Sequence, residues 1–186
     1  MKDECQSTTT FKDKQWSLIT LPCDPAGRTL EELFSQELGG NYSEDWVVYG
    51  FDSLLGEFKK VDLNDQLKAG KGYWFIQISG NDIEYTMTGS ALSKYQRIDV
   101  VSKEAALTWN MIGNPYPHAI ESKDTQWYSE ESGSRMNWSE ADSQNLVHAS
   151  VFLYENGGYT KKDMSNPETK IDPWHGYWVP ILDDYH

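Results

Sequence analysis

The feature that most constrains this chain is a phrase it contains twice. "WSLITLP" (16–22) and "WNMIGNPYP" (109–117) share a Trp, an aliphatic pair at the third and fourth places, and a Pro at the seventh. Two more pairs follow in the same order. "VVYGFDSLLGEFKK" (47–60) and "SVFLYENGGYTKK" (150–162) each give an alternating apolar run, a Gly-containing turn, an aromatic and a Lys pair. Period-two alternation broken by a short Gly turn is a β-hairpin signal. "GKGYWFIQI" (70–78) and "WHGYWVPIL" (174–182) then share Gly-Tyr-Trp ahead of an aliphatic strand. Three matched blocks in one order imply an internal duplication.

The expected fold is therefore all-β: two intertwined pseudo-repeats forming a β-sandwich or barrel-like body. The whole chain, 1–186, reads as one domain built from repeats of about 1–90 and 91–186 that share strands. Within it, "TLEELFSQELGG" predicts one short α-helix over 30–38. Thr29 and Glu32 form a capping box, Leu30, Leu33, Phe34 and Leu38 share a face, and Gly39 stops the turn. At the matching place the second copy has a longer polar segment, "ESKDTQWYSEESGSRMNWSEADSQN", without a helical stripe. Between the copies, "NDIEYTMTGSAL" and "YQRIDVVSKEAALTW" read as two more strands, and "STTTFKDKQ" as the entry strand of copy one. Trp16 and Trp109 are expected as equivalent core anchors. Pro22 and Pro115 should end pairing, because proline lacks the ladder N–H. Gly72 and Gly176 mark places where a Cβ would not fit.

The order "GKGYWF … IEYTMTG … RIDVVSKEAALTWNMIGNPYP" resembles a β-rich repeat of exported and cell-surface bacterial proteins. Those modules run Gly-x-x-Tyr-Trp-Val, a strand ending in Gly, then Trp-Asn-Leu-Ile-Gly-x-Pro, with "GNPYP" frequent in Bacteroidetes-type secreted proteins. The resemblance covers nearly the whole chain and implies export and a β fold. It implies no uniform activity. Copy one departs from it, with "TLPCD" where "GNPYP" would stand.

Charge narrows the partners. The net charge is −13 and only three of the 16 cations are Arg (Arg28, Arg97, Arg135). Such a chain repels phosphate backbones, so nucleic acid is an unsuitable partner. No apolar run is long enough for a helical membrane span, so no membrane insertion is expected. "MKDECQSTTTF" reads as a start Met on a mature polar N-terminus, so the signal peptide of a secreted or cell-surface protein would be absent from this sequence. Cys5 and Cys23 flank the strand after Trp16. They could close a disulfide, as suits an exported protein, or remain two free thiols.

Motifs for catalysis are missing. "GSALS" lacks the Gly-x-Ser-x-Gly elbow, and His118, His148, His175 and His186 form no HExxH or His-x-His pattern. His175 reads as a turn residue with a solvent-facing ring. Glycoside chemistry needs only two carboxylates, with Asp52, Glu84 and Asp99 as candidates on strands or strand ends, each equally readable as an outward-facing residue. Calcium could be held by "DLNDQ" (Asp62, Asn64, Asp65) or "EADSQN" (Glu140, Asp142, Asn145), but neither has EF-hand spacing. No cofactor is expected, and solvated loops are favoured over Ca²⁺ sites.

The remaining signal is aromatic. Trp127, Tyr128, Trp138 and Trp174 have no aromatic counterpart in the other copy, and the first three lie in a hydrophilic segment. Indole faces suit the apolar faces of sugars, and Glu130, Asp142 and Asn145 could meet their hydroxyls. The expected function is a non-catalytic extracellular module that binds carbohydrate by aromatic stacking. Alternatives are a structural or adhesive module binding a surface protein, and a glycoside-active enzyme. Against the proposed site stands the possibility that the insertion uses its aromatics as a private mini-core.

Overall fold

In a computed structural model the protein is described over residues 3–103, 106–130 and 132–182. Among these residues fourteen strands alternate with three short helical segments. The strands of the first half are β1 (Glu4–Phe11), β2 (Ser17–Thr20), β3 (Trp46–Asp52), β4 (Glu57–Lys60), β5 (Gly72–Gln77) and β6 (Ile83–Ser90). Those of the second are β7 (Thr108–Gly113), β8 (Ile120–Glu121), β9 (Trp127–Tyr128), β10 (Arg135–Met136), β11 (Ser150–Glu155), β12 (Gly158–Asp163), β13 (Lys170–Ile171) and β14 (Gly176–Ile181). The body is all-β and its sheets are antiparallel.

Two four-stranded sheets make the centre. Sheet I has the order β2-β5-β3-β4 and sheet II the order β7-β14-β11-β12. The two orders correspond strand for strand, and so does the register. Leu18 lies opposite Trp74 as Met111 lies opposite Trp178; Thr20 lies opposite Gly72 as Gly113 lies opposite Gly176. Tyr49 meets Trp74 as Phe152 meets Trp178, and Phe51 meets Phe58 as Tyr154 meets Tyr159. Because a sheet's side-chain period is two, one shared register places matched residues on matched faces.

The sheets face each other through Leu18, Met111 and Trp178, with Phe51, Trp74, Trp109, Phe152 and Tyr154 packed around them. Their contact is reciprocal. A Cβ on Gly72 would come within 2.8 Å of Met111 Cβ and 3.0 Å of its carbonyl carbon, and a Cβ on Gly176 within 2.9 Å of Leu18 Cγ and 3.0 Å of Ile19 O. Bridges Ile19–His175 and Lys71–Ile112 link the two sheets beside these glycines. Close backbone approach is thus what both glycines are for.

Each sheet buries its other face under a different layer. Over sheet I lie β1 and β6, paired along their full length, and the helical segment Glu31–Ser35, π-helical, continued by Gln36–Leu38 as a turn of α-helix. Its Thr29–Glu32 capping box is made in both directions (2.8 and 3.3 Å), and Gly39 ends it at φ +62°. Phe11, Phe34, Phe75, Tyr85 and Trp46 fill this core. Over sheet II lies the longer polar segment, with Met136, Trp138, Ala141 and Ile171 against Val151, Leu153 and Val179.

Several expectations change here. The polar segment does contain a helix, Trp138–Ser143, started by an Asn137–Glu140 capping box. The second expected strand between the halves does not form: 91–103 and 106–107 carry only the bridge Lys103–Ala106. Among the described residues no strand of one half joins the four-stranded sheet of the other. The halves interlock instead through a side chain: Trp174 of the second half is 4% exposed inside the first core, edge-on to Phe11 and Tyr85, its Nε1 donating to Ser7 Oγ at 3.0 Å. Trp16 is no core anchor; it is 38% exposed, and Trp109 is half-buried. Cys5 and Cys23 are bonded, tying β1 to the loop after β2.

Candidate functional site

The residues expected to form a sugar site do not form one row. Trp138 is buried at 6% exposure, with Nε1 donating to Thr125 Oγ1 at 2.7 Å. Trp127 packs edge-on to it, centroids 4.9 Å apart at 85°, against the second outer core. These two are the insertion's mini-core: with little aliphatic material in the segment, its indoles must do the packing. Trp174 is committed to the other core. Tyr128 is half exposed, but the Arg97 guanidinium lies over its ring at 5.7 Å and bridges to Glu130 at 2.5 Å. Asp142 sits 3.5 Å from His148 Nδ1, and Asn145 is a left-handed turn residue at φ +55° after the helix.

A connected series of partly accessible aromatics lies elsewhere, on the sheets. Ring follows ring across the edge of the sandwich: Tyr159 to Tyr154 (5.2 Å), Tyr154 to Trp74 (5.0 Å), Trp74 to Trp16 (6.2 Å), Trp16 to Tyr49 (6.1 Å). The register explains this strip. Tyr49, Trp74 and Trp16 stand on the inter-sheet face of sheet I, Tyr154 and Tyr159 on that of sheet II, and the two groups meet through the Trp74–Tyr154 contact. Tyr159 is 59% exposed, and Tyr49, Trp74 and Tyr154 are half-buried.

The matched positions form a second cluster: Phe58 to Phe51 (5.1 Å), Phe51 to Trp178 (4.8 Å), Trp178 to Trp109 (6.3 Å), Trp109 to Phe152 (5.9 Å). The ring contacts repeat, but the chemistry differs. Every Tyr of the strip is a Phe here. The central indoles also differ: Trp178 is buried, with Phe58 edge-on to it (6.1 Å, 80°), whereas Trp74 is half-buried; Phe58 itself is 54% exposed.

The phenols of the strip have a further property. Tyr42, Tyr73, Tyr85, Tyr116 and Tyr177 each hydrogen-bond a backbone group with their hydroxyls. Burial pushes the Tyr85 phenol up to about 12 and that of Tyr177 further still. Among the described residues, Tyr49, Tyr154 and Tyr159 hydroxyls have no protein partner. Hydroxyls held at an accessible edge without partners are free to bond water or a ligand.

Carboxylates are arranged differently. Asp52 accepts from Lys59 (2.7 Å) and from the Leu54 and Leu55 amides, and these bonds, Lys59 first, hold it below the ordinary carboxylate range. Asp99 pairs with Arg97, and Glu84 is exposed on β6 opposite Thr10. Two small cavities, about 210 and 300 Å³, are lined by one carboxylate each, Asp45 and Asp24. Asp65 accepts from the Asp62 amide within its own loop. Among the described residues no three His, Cys, Asp or Glu side chains converge. His175, expected in solvent, is half-buried with Nδ1 unpartnered, and desolvation lowers its pKa against the raising influence of Asp172. His186 lies outside the described residues. No helix among the described residues is long and apolar enough to cross a membrane.

Sequence reading passed over the strip because it assigned every duplicated aromatic to the core. Comparing hydroxyls at the matched positions (Tyr49 with Phe152, Phe51 with Tyr154, Phe58 with Tyr159) would have flagged the asymmetry. Comparison of the chain with protein-family models, with curated proteins and with solved structures gave no match.

Proposed function

We propose that this chain is a non-catalytic binding module, secreted or at the cell surface, that holds a neutral carbohydrate on the strip Trp16, Tyr49, Trp74, Tyr154 and Tyr159. The observation that carries the reading is the accessible Trp and Tyr series whose three phenols are unbonded within the described protein. A pyranose presents apolar C–H faces and hydroxyl edges, and this strip presents indole faces and phenol edges. Tyr and Trp make such contacts at low entropic cost, being rigid and amphipathic. A net charge of −13 does not repel a neutral glycan. The Cys5–Cys23 bond supports an oxidising compartment. The carboxylates Asp52 and Asp99 are committed to ion pairs, which favours binding over turnover.

The test is affinity electrophoresis in gels containing neutral polysaccharides: xyloglucan, mixed-linkage β-glucan, galactomannan, laminarin and starch. Native protein is expected to be retarded by at least one, and Trp74→Ala to run free at a temperature where circular dichroism shows it still folded. Unretarded native protein on every gel sinks the reading. A second reading, a module that binds a protein, is favoured by one patch. Leu54, Leu55 and Phe58 are all more than half exposed at the β3–β4 hairpin and carry no hydroxyl. Capture of a polypeptide abolished by Leu55→Asp and untouched by Trp74→Ala would favour it.

A further inference from the structure

A chain whose halves match so closely invites the expectation of two equivalent sites. The residues argue otherwise. The ring positions are duplicated, yet the hydroxyls are sorted. Tyr49 comes from the first half and Tyr154 and Tyr159 from the second, and the packing of the sheets joins all three in one chain of ring contacts. Phe152, Phe51 and Phe58 occupy the matched places in the other chain.

Resting on the carbohydrate reading above, we propose that the phenols of Tyr49, Tyr154 and Tyr159 are the specificity-determining groups, and that the module binds one glycan chain rather than two. Trp16 and Trp74 supply stacking area, which by itself accepts any ring with an apolar face. Selection among such rings needs directional groups. The phenol O–H both donates and accepts, so three along one strip read the spacing and orientation of a sugar's hydroxyls. A ligand lacking hydroxyls there leaves the phenols desolvated and unpaired, which is a penalty rather than a missing bonus. The Phe cluster makes no such discrimination, and its central indole is buried, with Phe58 edge-on to it. That cluster is hydrophobic support for the edge of the sandwich.

Among the described residues these tyrosine hydroxyls bond no protein group, so Tyr→Phe at each leaves the fold intact. The experiment uses the polysaccharide from the panel that retards the native chain, and its hexasaccharide in calorimetric titration. Each of Tyr49→Phe, Tyr154→Phe and Tyr159→Phe is expected to weaken binding by about fivefold, and the triple variant on the order of a hundredfold. Melting temperature should not move, and native stoichiometry should be one. A triple variant that binds as tightly as native overturns the proposal while leaving the carbohydrate reading standing. Two hexasaccharides per chain does the same. A native chain retarded by no polysaccharide overturns both. Weakening by Trp74→Ala with the triple variant unaffected separates a stacking site without phenol selection from the one proposed.

Discussion

The outer layers of the two sheets are built from unlike materials, although the sheets they cover correspond position by position. The first is a lattice of rings: Phe11 on Phe75 at 4.2 Å, Phe34 on Tyr85 at 4.8 Å, with Trp174 edge-on to both Phe11 and Tyr85. The second is mostly aliphatic, with one indole pair, Trp127 and Trp138. The first is clamped by a disulfide and the second is not. The comparison teaches that the shared part of this architecture is the register of four strands, and that what covers it is free to vary. A sheet face demands burial; it does not dictate by what.

The largest effect is expected where the two regions interlock. Trp174 belongs to the second half by sequence and to the first by packing. Its counterpart is Gly70: Thr20 N–H donates to Trp174 O as Gly113 N–H donates to Gly70 O, and both residues are left-handed, at φ +66° and +80°. A non-Gly residue in that conformation costs about 1–2 kcal/mol, which the buried indole offsets. Trp174→Ala is expected to lose about 3–5 kcal/mol. Calorimetry should show one transition in the native chain, displaced as a whole in the variant. Two native transitions, with only one displaced, would break the claim that the halves are a single cooperative body.

A smaller effect separates the layers themselves. The Cys5–Cys23 bond closes 18 positions, and removing a loop constraint of that size costs about 3 kcal/mol in the chain-entropy account. In the Cys5→Ser/Cys23→Ser double variant the urea midpoint should fall with little change in slope. Hydrogen exchange should then rise first in β1 and β6, before the helix Trp138–Ser143 on the opposite layer. Equal acceleration in both layers would mean that they are not separately held.

How much of this was legible follows the same division. The three repeated phrases align Trp74 with Trp178 and the Lys-Lys hairpins with each other, and the strand orders run the same way. The helix over 31–38 was legible because its capping box and apolar face agree. The helix Trp138–Ser143 was not, since only Trp138 and Ala141 are buried and no stripe develops over six residues, although Asn137-x-x-Glu140 is itself a cap signal. Unmatched aromatics looked like a site because exposure was assigned by hydrophilic neighbours, and Trp138 shows that a polar segment buries what few rings it has. The strip was hidden for a different reason. The Tyr-for-Phe exchanges at matched positions are legible, but only the packing of the sheets joins Tyr49 with Tyr154 and Tyr159 in one chain of rings.

The smallest effect sharpens the comparison at one pair of matched residues. Lys71 and His175 both precede the Gly-Tyr-Trp glycine, both bridge to the facing sheet, and burial lowers both pKa values. The consequences fall in different pH windows. A depressed pKa leaves full stability above the unfolded value and removes it as pH falls toward the folded one. For Lys71 the unfolded value is about 10.4, so its burial cost is already present at neutral pH. For His175 the unfolded value is about 6.5, so the neutral buried ring is favourable at pH 7 and becomes a liability as pH drops below that. The native melting temperature should therefore decline between pH 7 and 5, before the carboxylates held low by their partners, Asp52, Asp82 and Asp163, titrate. His175→Gln should flatten that decline and Lys71→Gln should leave it unchanged. A native profile that is level from pH 7 to 5 would mean the His175 ring gains a proton without cost, and that its burial beside the sheet junction carries no energetic weight.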